Sequence, residues 1–193
     1  HSFGTVLIGR LAEPAPLIQV LIGPRQVGKT TAVKRVLDGR GVYETADSPT
    51  PFQPATLEEW WNAAAAHPDK ILAVDEIQKV MGWAECLKRL WDTSPVRLKV
   101  VVTGSSALAI DKGLRETLAG RFELIRAEHW NFADANAIFG LSLSDYIEFG
   151  CYPGSVQFLL GEKDQTQSAL PKNEAIERWG AYIRDSIVEP VIG

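Results

Sequence analysis

Short apolar runs alternate with amphipathic stretches along most of the chain, and this alternation predicts its secondary structure. Short runs of apolar or β-forming residues, bounded by glycine, proline or polar turns, are typical of β-strands. The five predicted strands occupy residues 17–22, 42–46, 71–74, 98–102 and 122–125. Continuous hydrophobicity, clearest in residues 71–74, indicates strands that are buried on both faces.

Stretches with apolar residues at helical spacing lie between the predicted strands and after them. Helices are expected at residues 32–37, 56–67, 81–94 and, in two pieces, 107–119, with two more at 145–149 and 173–188. The helix at 56–67 is expected to begin with a capping box formed by Thr56 and Glu59. The alternation predicts an α/β fold, in which helices cover both faces of a mostly parallel five-stranded sheet to give three α/β/α layers.

Directly after the first predicted strand, residues 23–30 fit the pattern G-x-x-x-x-G-K-[ST] of a phosphate-binding loop. Gly23 and Gly28 allow backbone conformations closed to other residues, so that successive N–H groups can hold phosphate oxygens in one concavity. The following helix directs the positive end of its dipole at the same anion. The residues predicted to contact the nucleotide are Gly23, Pro24, Arg25, Gln26, Val27, Gly28, Lys29, Thr30 and Thr31.

Two side chains of this loop are expected to carry specific chemistry. Lys29 would reach the β- and γ-phosphates as a mobile point charge, and the Thr30 hydroxyl would be a ligand of the Mg²⁺ that bridges them. The alternative is a glycine-rich turn with a lysine on the surface. The apolar strand before the loop and the helical pattern after it favour phosphate binding.

The predicted strand at residues 71–74 is followed by the acidic pair Asp75 and Glu76. In phosphate-loop NTPases an acid at the end of a strand beside the loop binds the Mg²⁺ shell, and an adjacent glutamate can polarise the attacking water. Asp75 is therefore predicted to be a metal ligand and Glu76 the general base. The alternative is that the two acids mark the start of a helix, where acidic residues are also favoured.

Small hydroxyl residues follow the predicted strand at residues 98–102. Ser105 is predicted to sense the γ-phosphate or to position water, because ligands of parallel sheets bind outside the carboxyl ends of the strands. The alternative is that Ser105 or Ser106 caps the next helix, a position that serine favours.

Bulk properties narrow the range of partners. The chain has 193 residues, 46% of them hydrophobic, which suits one globular domain with the start of a second. Its net charge is −4 and it has no run rich in Lys or Arg, so the charge does not support binding to nucleic acid. Cys86 and Cys151 are far apart, which indicates free thiols rather than a disulfide framework. Since no apolar run approaches the roughly 18 residues of a membrane span, a cytoplasmic location is expected.

Five strings of the sequence, taken in order, resemble a known family: GPRQVGKTT, AVDEIQ, VVTGSSA, LAGRFEL and YIEFGCYPG. They are similar to the AAA-type (AAA+) ATPase domain of a family of prokaryotic ATPases, over roughly residues 10–154. The resemblance implies an AAA+-like P-loop NTPase fold that binds ATP or ADP with Mg²⁺. Adenine is inferred from the family alone, because a base-reading motif such as N-K-x-D is absent. The resemblance also implies an ATPase core at residues 1–128, then a helical connector and partial lid at 129–193.

The resemblance further implies an arginine finger at Arg121, within the LAGR string. Such an arginine usually stabilises the transition state in the site of a neighbouring subunit, which would require a homo-oligomer. Alternatively, Arg121 pairs with Glu116 or Glu123, and Arg115 is the substitute for the finger. Family members usually continue into a C-terminal partner domain, and this sequence ends where that domain is expected to begin.

Three functions remain open at this point. The first is a Mg²⁺-dependent ATPase whose hydrolysis drives or times a conformational change in a protein partner or an attached domain. The second is a nucleotide-gated binding module that turns over little ATP alone. The third is a small-molecule phosphotransferase, although Glu76 beside Asp75 favours water as the acceptor and no arginine-rich lid is evident.

Overall fold

Five parallel strands form the central sheet of the protein, in the order β2-β3-β4-β1-β5. The computed structural model describes residues 2–14, 16–105, 114–150, 152–160 and 171–185. The strands are β1 Ile18–Ile22, β2 Val42–Thr45, β3 Ile71–Asp75, β4 Lys99–Gly104 and β5 Phe122–Arg126. The predicted strands are confirmed to within two residues at each end, and the predicted mostly parallel sheet is parallel in every pair.

The parallel register brings the carboxyl ends of the strands to one edge of the sheet. Ile22 of β1 pairs with Gly104 of β4, and Thr45 of β2 pairs with Asp75 of β3. Strands β1 and β3 are buried along their whole length, as expected for continuous apolar runs with layers on both faces. The loop after β1 and the acids Asp75 and Glu76 at the end of β3 therefore lie at the same edge.

Helices of the described residues that accompany this sheet include α1 Ser2–Ala12, α2 Lys29–Leu37, α3 Pro54–Ala66 and α4 Trp83–Thr93. Residues 114–117, part of the helical segment predicted at 107–119, are also helical. The earlier part of that segment, residues 107–113, lies outside the described residues. Helix α4 buries Trp83, Cys86, Leu87 and Leu90, in agreement with the helical spacing of apolar residues in the predicted helix at 81–94. Among the described residues, no helix is long and apolar enough to cross a membrane.

The predicted capping box at Thr56 and Glu59 is wrong. Helix α3 begins two residues earlier, with Gln53 at the N-cap and Pro54 in the first turn. Proline suits this position because its fixed φ is helical and its missing N–H would have no partner in the helix. Thr56 therefore lies inside the helix, where its backbone N–H donates to the carbonyl of Gln53 at 3.1 Å.

By its internal contacts the chain divides into two compact units: His1–Pro24 with Gly28–Ala127, and Arg25–Val27 with Glu128–Gly193. Helices α5 Phe132–Phe139, α6 Leu143–Phe149, α7 Val156–Leu160 and α8 Lys172–Ile183 belong to the second unit. Its small core contains Phe149, Ala175 and Trp179, with Tyr152 and Phe158 packed against them. The predicted helix at 145–149 is confirmed with an earlier start. The helix predicted at 173–188 ends at Ile183, and its last three predicted residues lie outside the described ranges.

Candidate phosphate-binding site

Gly23 opens the loop between β1 and α2 at a point where only glycine fits. A Cβ built on Gly23 would lie 2.0 Å from the carbonyl oxygen of Ala127. Ala127 approaches so closely because its N–H donates to the carbonyl of Ile22 at 2.7 Å, which extends the pairing of β1 and β5 by one residue. The first glycine of the motif is therefore required by backbone packing as well as by its own conformational freedom.

Gly23→Ala is expected to weaken nucleotide binding and to lower the melting temperature, because two backbone segments must separate to admit the Cβ. Overpacking of this kind costs about 1–3 kcal/mol. Gly9→Ala is the matched control, since a Cβ at Gly9 would meet nothing within 4 Å. Calorimetric titration with ATP and thermal melts of both variants check the prediction. Unchanged affinity and stability in Gly23→Ala would contradict the close packing at this loop.

The loop backbone adopts left-handed conformations on either side of Val27. Gln26 has φ 61° and Gly28 has φ 91°, while Val27 is fully buried. Helix α2 starts directly after Gly28, whose carbonyl accepts from the N–H of Ala32 at 2.9 Å. The positive end of this helix therefore lies at the loop, as the predicted phosphate site requires.

Lys29 is buried, with 6% of its surface exposed, so the alternative of a lysine on the surface is wrong. Its ammonium group donates to the carbonyl of Gly23 at 2.8 Å and to that of Pro24 at 2.6 Å. These contacts keep the charged group beside the loop backbone. A phosphate bound in the loop offers the ammonium a charged acceptor in exchange for two neutral carbonyls.

Asp75 lies at the carboxyl end of β3 and is 6% exposed. The Thr30 hydroxyl donates to its Oδ2 at 2.6 Å, and the Tyr43 hydroxyl donates to the same oxygen at 3.0 Å. Thr103 donates to the other oxygen, Oδ1. The structure therefore brings together the two predicted metal ligands, Thr30 and Asp75, and adds two hydroxyl partners that orient the carboxylate.

Sequence reasoning missed Tyr43 and missed the bond of Thr103 to Asp75, although Thr103 is one of the small hydroxyl residues noted after the fourth predicted strand. Burial, followed by the negative charge of Asp75, raises the pKa of Tyr43, so its hydroxyl stays protonated and remains a donor. Tyr43 belongs to no motif, and the VVTGSSA string that contains Thr103 does not predict its partner. Both could have been found only from the strand order, because β2 and β4 are the two neighbours of β3 in the sheet.

Glu76 directly follows β3 and has φ 54°, which turns its side chain out of the strand direction. Its Oε2 accepts from the Ser105 hydroxyl at 3.0 Å and from the side-chain amide of Gln78. Its backbone N–H donates to the Thr103 hydroxyl at 3.4 Å. Ser105 thus lies beside the predicted general base. Ser106, the other serine considered as a helix cap, lies outside the described residues.

Arg121 lies at the opposite edge of the sheet from the loop. Its carbonyl accepts from the N–H of Ile18, the first residue of β1, so the five residues of β1 separate it from Gly23 by roughly 16 Å along the strand. Its guanidinium donates to both oxygens of Asp92, at 2.8 and 2.9 Å. The alternative of an arginine paired with a carboxylate fits this ion pair, although the partner is Asp92 rather than Glu116 or Glu123. Hydrogen bonding from Arg121 lowers the pKa of Asp92, and Asp92 raises the pKa of Arg121.

The donor set at Thr30 and Asp75 fits Mg²⁺. This ion usually takes one or two protein oxygens and completes its shell with phosphate oxygens and water. Within the described ranges, no group of three or more His, Cys, Asp or Glu residues forms a metal cluster. One hydroxyl and one buried carboxylate beside a phosphate loop are therefore the expected protein share of a metal–triphosphate site.

A parallel sheet with this loop after β1 and an acid at the end of β3 defines the class of P-loop nucleoside-triphosphate-binding proteins. The sequence profile of the AAA domain family matches residues 16–136, more than half of the chain, so the chain belongs to this family. The resemblance to AAA-type ATPase domains is thereby confirmed. No curated protein sequence matches the chain.

Solved structures share the fold. The RuvB Holliday junction branch migration motor of Thermotoga maritima superposes with a TM-score of 0.59 over 94% of this chain and 68% of that chain. Its sequence is 11% identical to this one, so the similarity shows the fold alone. The predicted AAA+-like P-loop fold is confirmed.

Proposed function

We propose that the chain binds ATP with Mg²⁺ and hydrolyses it to drive or time a conformational change in a protein partner or an attached domain. The main support for this proposal is the hydrogen bond of 2.6 Å from the Thr30 hydroxyl to Asp75. It places the first turn of α2, which follows the phosphate loop, against the acid at the end of β3. Glu76, next to Asp75, is proposed as the general base, a group that a hydrolase needs and that a protein which only binds nucleotide does not.

Each part of the site has a role in this proposal. The backbone amides of residues 23–28 hold the β- and γ-phosphates, and Lys29 leaves the carbonyls of Gly23 and Pro24 to neutralise them. Thr30 and Asp75 would hold Mg²⁺, which supplies positive charge to the phosphoryl group when it is bound. Tyr43 and Thr103 keep the Asp75 carboxylate oriented toward Thr30.

Glu76 orients and deprotonates the attacking water. In the structure Oε2 of its carboxylate accepts from Ser105 and from Gln78, and these bonds must loosen before the carboxylate can take a proton from water. Ser105, at the end of β4, is proposed to shift this carboxylate when a γ-phosphate is present. General-base assistance of this kind contributes typically 10²- to 10⁴-fold to the rate.

Arg121 is proposed to act in trans, because roughly 16 Å of strand separates it from the loop of its own chain. The two predicted parts of the chain, an ATPase core at 1–128 and a connector with a partial lid at 129–193, are proposed to form the switch. A homo-oligomer would place Arg121 beside the ATP of a neighbouring copy.

A nucleotide-gated module with low turnover is the second candidate, and two contacts favour it. Glu76 is engaged by Ser105 and Gln78, and Arg121 is engaged by Asp92. Both groups must leave these partners before they can serve hydrolysis. The isolated chain would then bind ATP yet turn it over slowly.

Phosphate release measured across a range of protein concentrations, with and without Mg²⁺, separates the two candidates. An oligomeric ATPase with a finger in trans gives a rate per chain that rises with concentration and disappears without Mg²⁺. A gated module binds ATP but gives a low rate at every concentration. Failure to bind ATP at all would contradict both.

A further inference from the structure

The indole N–H of Trp130 donates to the carbonyl of Val27 at 3.0 Å. Val27 belongs to the phosphate loop, and residues Arg25–Val27 group with the second compact unit by their contacts. Trp130 fits no nucleotide-binding motif and lies in the segment between β5 and α5. We propose that Trp130 is a positioning residue of the phosphate loop, an inference that rests on the proposed ATP site.

The peptide bond after Val27 explains how this contact can act on a ligand. The carbonyl of Val27 and the N–H of Gly28 belong to the same peptide plane, and in a trans peptide they point in opposite directions. Because the carbonyl points at Trp130, the Gly28 N–H points away from it. The indole therefore fixes the direction of one of the amides that the loop uses to hold phosphate.

The loop needs such an anchor because its backbone is not in a relaxed conformation. Gln26 has φ 61°, a left-handed value that is unfavourable for a residue with a Cβ, and Gly28 has φ 91°. Glycine adopts such a φ without strain, but a strained residue such as Gln26 persists only where the surrounding structure overdetermines it. The hydrogen bond to the Val27 carbonyl holds the peptide that joins Val27 to Gly28.

Trp130 itself is held by neighbours in the second unit. Its carbonyl accepts from the Tyr146 hydroxyl at 2.7 Å, and its ring stacks on Phe139 with a centroid distance of 5.0 Å and an interplanar angle of 29°. These contacts come from helices α5 and α6, so the backbone of Trp130 is held by Tyr146 and its ring by Phe139. A fixed donor orients its acceptor more effectively than a mobile one does.

Trp130→Phe tests the proposal, because phenylalanine keeps an aromatic ring against Phe139 but lacks the N–H donor, at the cost of a smaller ring that the control below matches. The expected result is a dissociation constant for Mg·ATP about tenfold higher than that of wild type. This is the change in affinity that corresponds to the loss of one hydrogen bond. Trp61→Phe is the matched control. It also removes one indole hydrogen bond, from Trp61 to Ser94 Oγ at 3.2 Å, at a place remote from the loop.

Calorimetric titration and thermal melts of the same samples separate positioning from stability. Trp61→Phe is expected to lower the melting temperature and to keep wild-type affinity, whereas Trp130→Phe is expected to lose affinity beyond any change in melting temperature. Equal affinities of wild type, Trp130→Phe and Trp61→Phe would overturn the proposal.

Two further measurements keep the result interpretable. If Trp130→Phe does not fold, Tyr146→Phe is used instead, because it removes the hydrogen bond that holds the backbone of Trp130. An affinity for Mg·ATP about threefold weaker than that of wild type supports the proposal. An unchanged affinity overturns it. Lys29→Ala distinguishes the two levels of inference. If Lys29→Ala weakens ATP binding and Trp130→Phe does not, the proposed role of Trp130 is wrong and the proposed function stands. If wild type binds no ATP, both the proposed function and the role of Trp130 are wrong.

Discussion

Lys29→Ala is expected to raise the dissociation constant for Mg·ATP by about 100-fold, because it removes a charge-assisted hydrogen bond worth roughly 1.5–3 kcal/mol together with a positive charge. The structure strengthens this expectation, since Lys29 is buried beside the loop and bonded to the carbonyls of Gly23 and Pro24. Titration calorimetry with ATP and ADP measures the loss.

Lys99→Ala is the control for this change. Lys99 also donates its ammonium to a backbone carbonyl, that of Leu11 at 2.6 Å, but it begins β4 at the opposite edge of the sheet. The variant removes the same charge and the same kind of bond, and it is expected to bind ATP like wild type. Equal losses in Lys29→Ala and Lys99→Ala would show that net charge, rather than the loop, controls affinity.

Glu76→Gln is expected to reduce the rate of ATP hydrolysis by roughly 10²-fold or more while the affinity for ATP stays within about twofold of wild type. Glutamine keeps the shape of the side chain and its ability to accept from Ser105, but it cannot take a proton from water. Phosphate release at saturating ATP measures the rate, and calorimetry measures the affinity.

Glu59→Gln is the matched control, because Glu59 is an exposed acid on α3. It is expected to leave both quantities unchanged. If Glu76→Gln hydrolyses ATP as fast as wild type, Glu76 is not the general base. If wild type is already as slow as Glu76→Gln at every protein concentration, the nucleotide-gated module is the better account.

Features that depend on contiguous residues could be predicted from the sequence. The phosphate loop is a local pattern, and each strand is a continuous apolar run, so neither needs knowledge of distant residues. Asp75 was found for the same reason, since it directly follows a strand. The start of α3 shows the limit of local rules, because the sequence offers two signals for a helix start, Pro54 and the Thr56–Glu59 pair. The helix begins at the earlier one, Pro54.

Features that depend on strand order could not be predicted. Tyr43 and Thr103 reach Asp75 only because β2 and β4 lie on either side of β3. The partner of Arg121 is Asp92 on α4, whereas both expected partners were close to it in sequence. The bond from Trp130 to Val27 joins residues more than one hundred positions apart, and no local pattern announces it.

The most direct test of the central claim is a crystal structure with Mn²⁺ and a non-hydrolysable ATP analogue, since the anomalous signal of manganese locates the metal independently of the refined coordinates. The expected result is a peak bonded to Thr30 Oγ1 and to Asp75 or a water that Asp75 holds. Lys29 is expected on the β- and γ-phosphates, released from Gly23 and Pro24. A peak elsewhere, with Thr30 still bonded to Asp75 and no phosphate in the loop, would contradict the account.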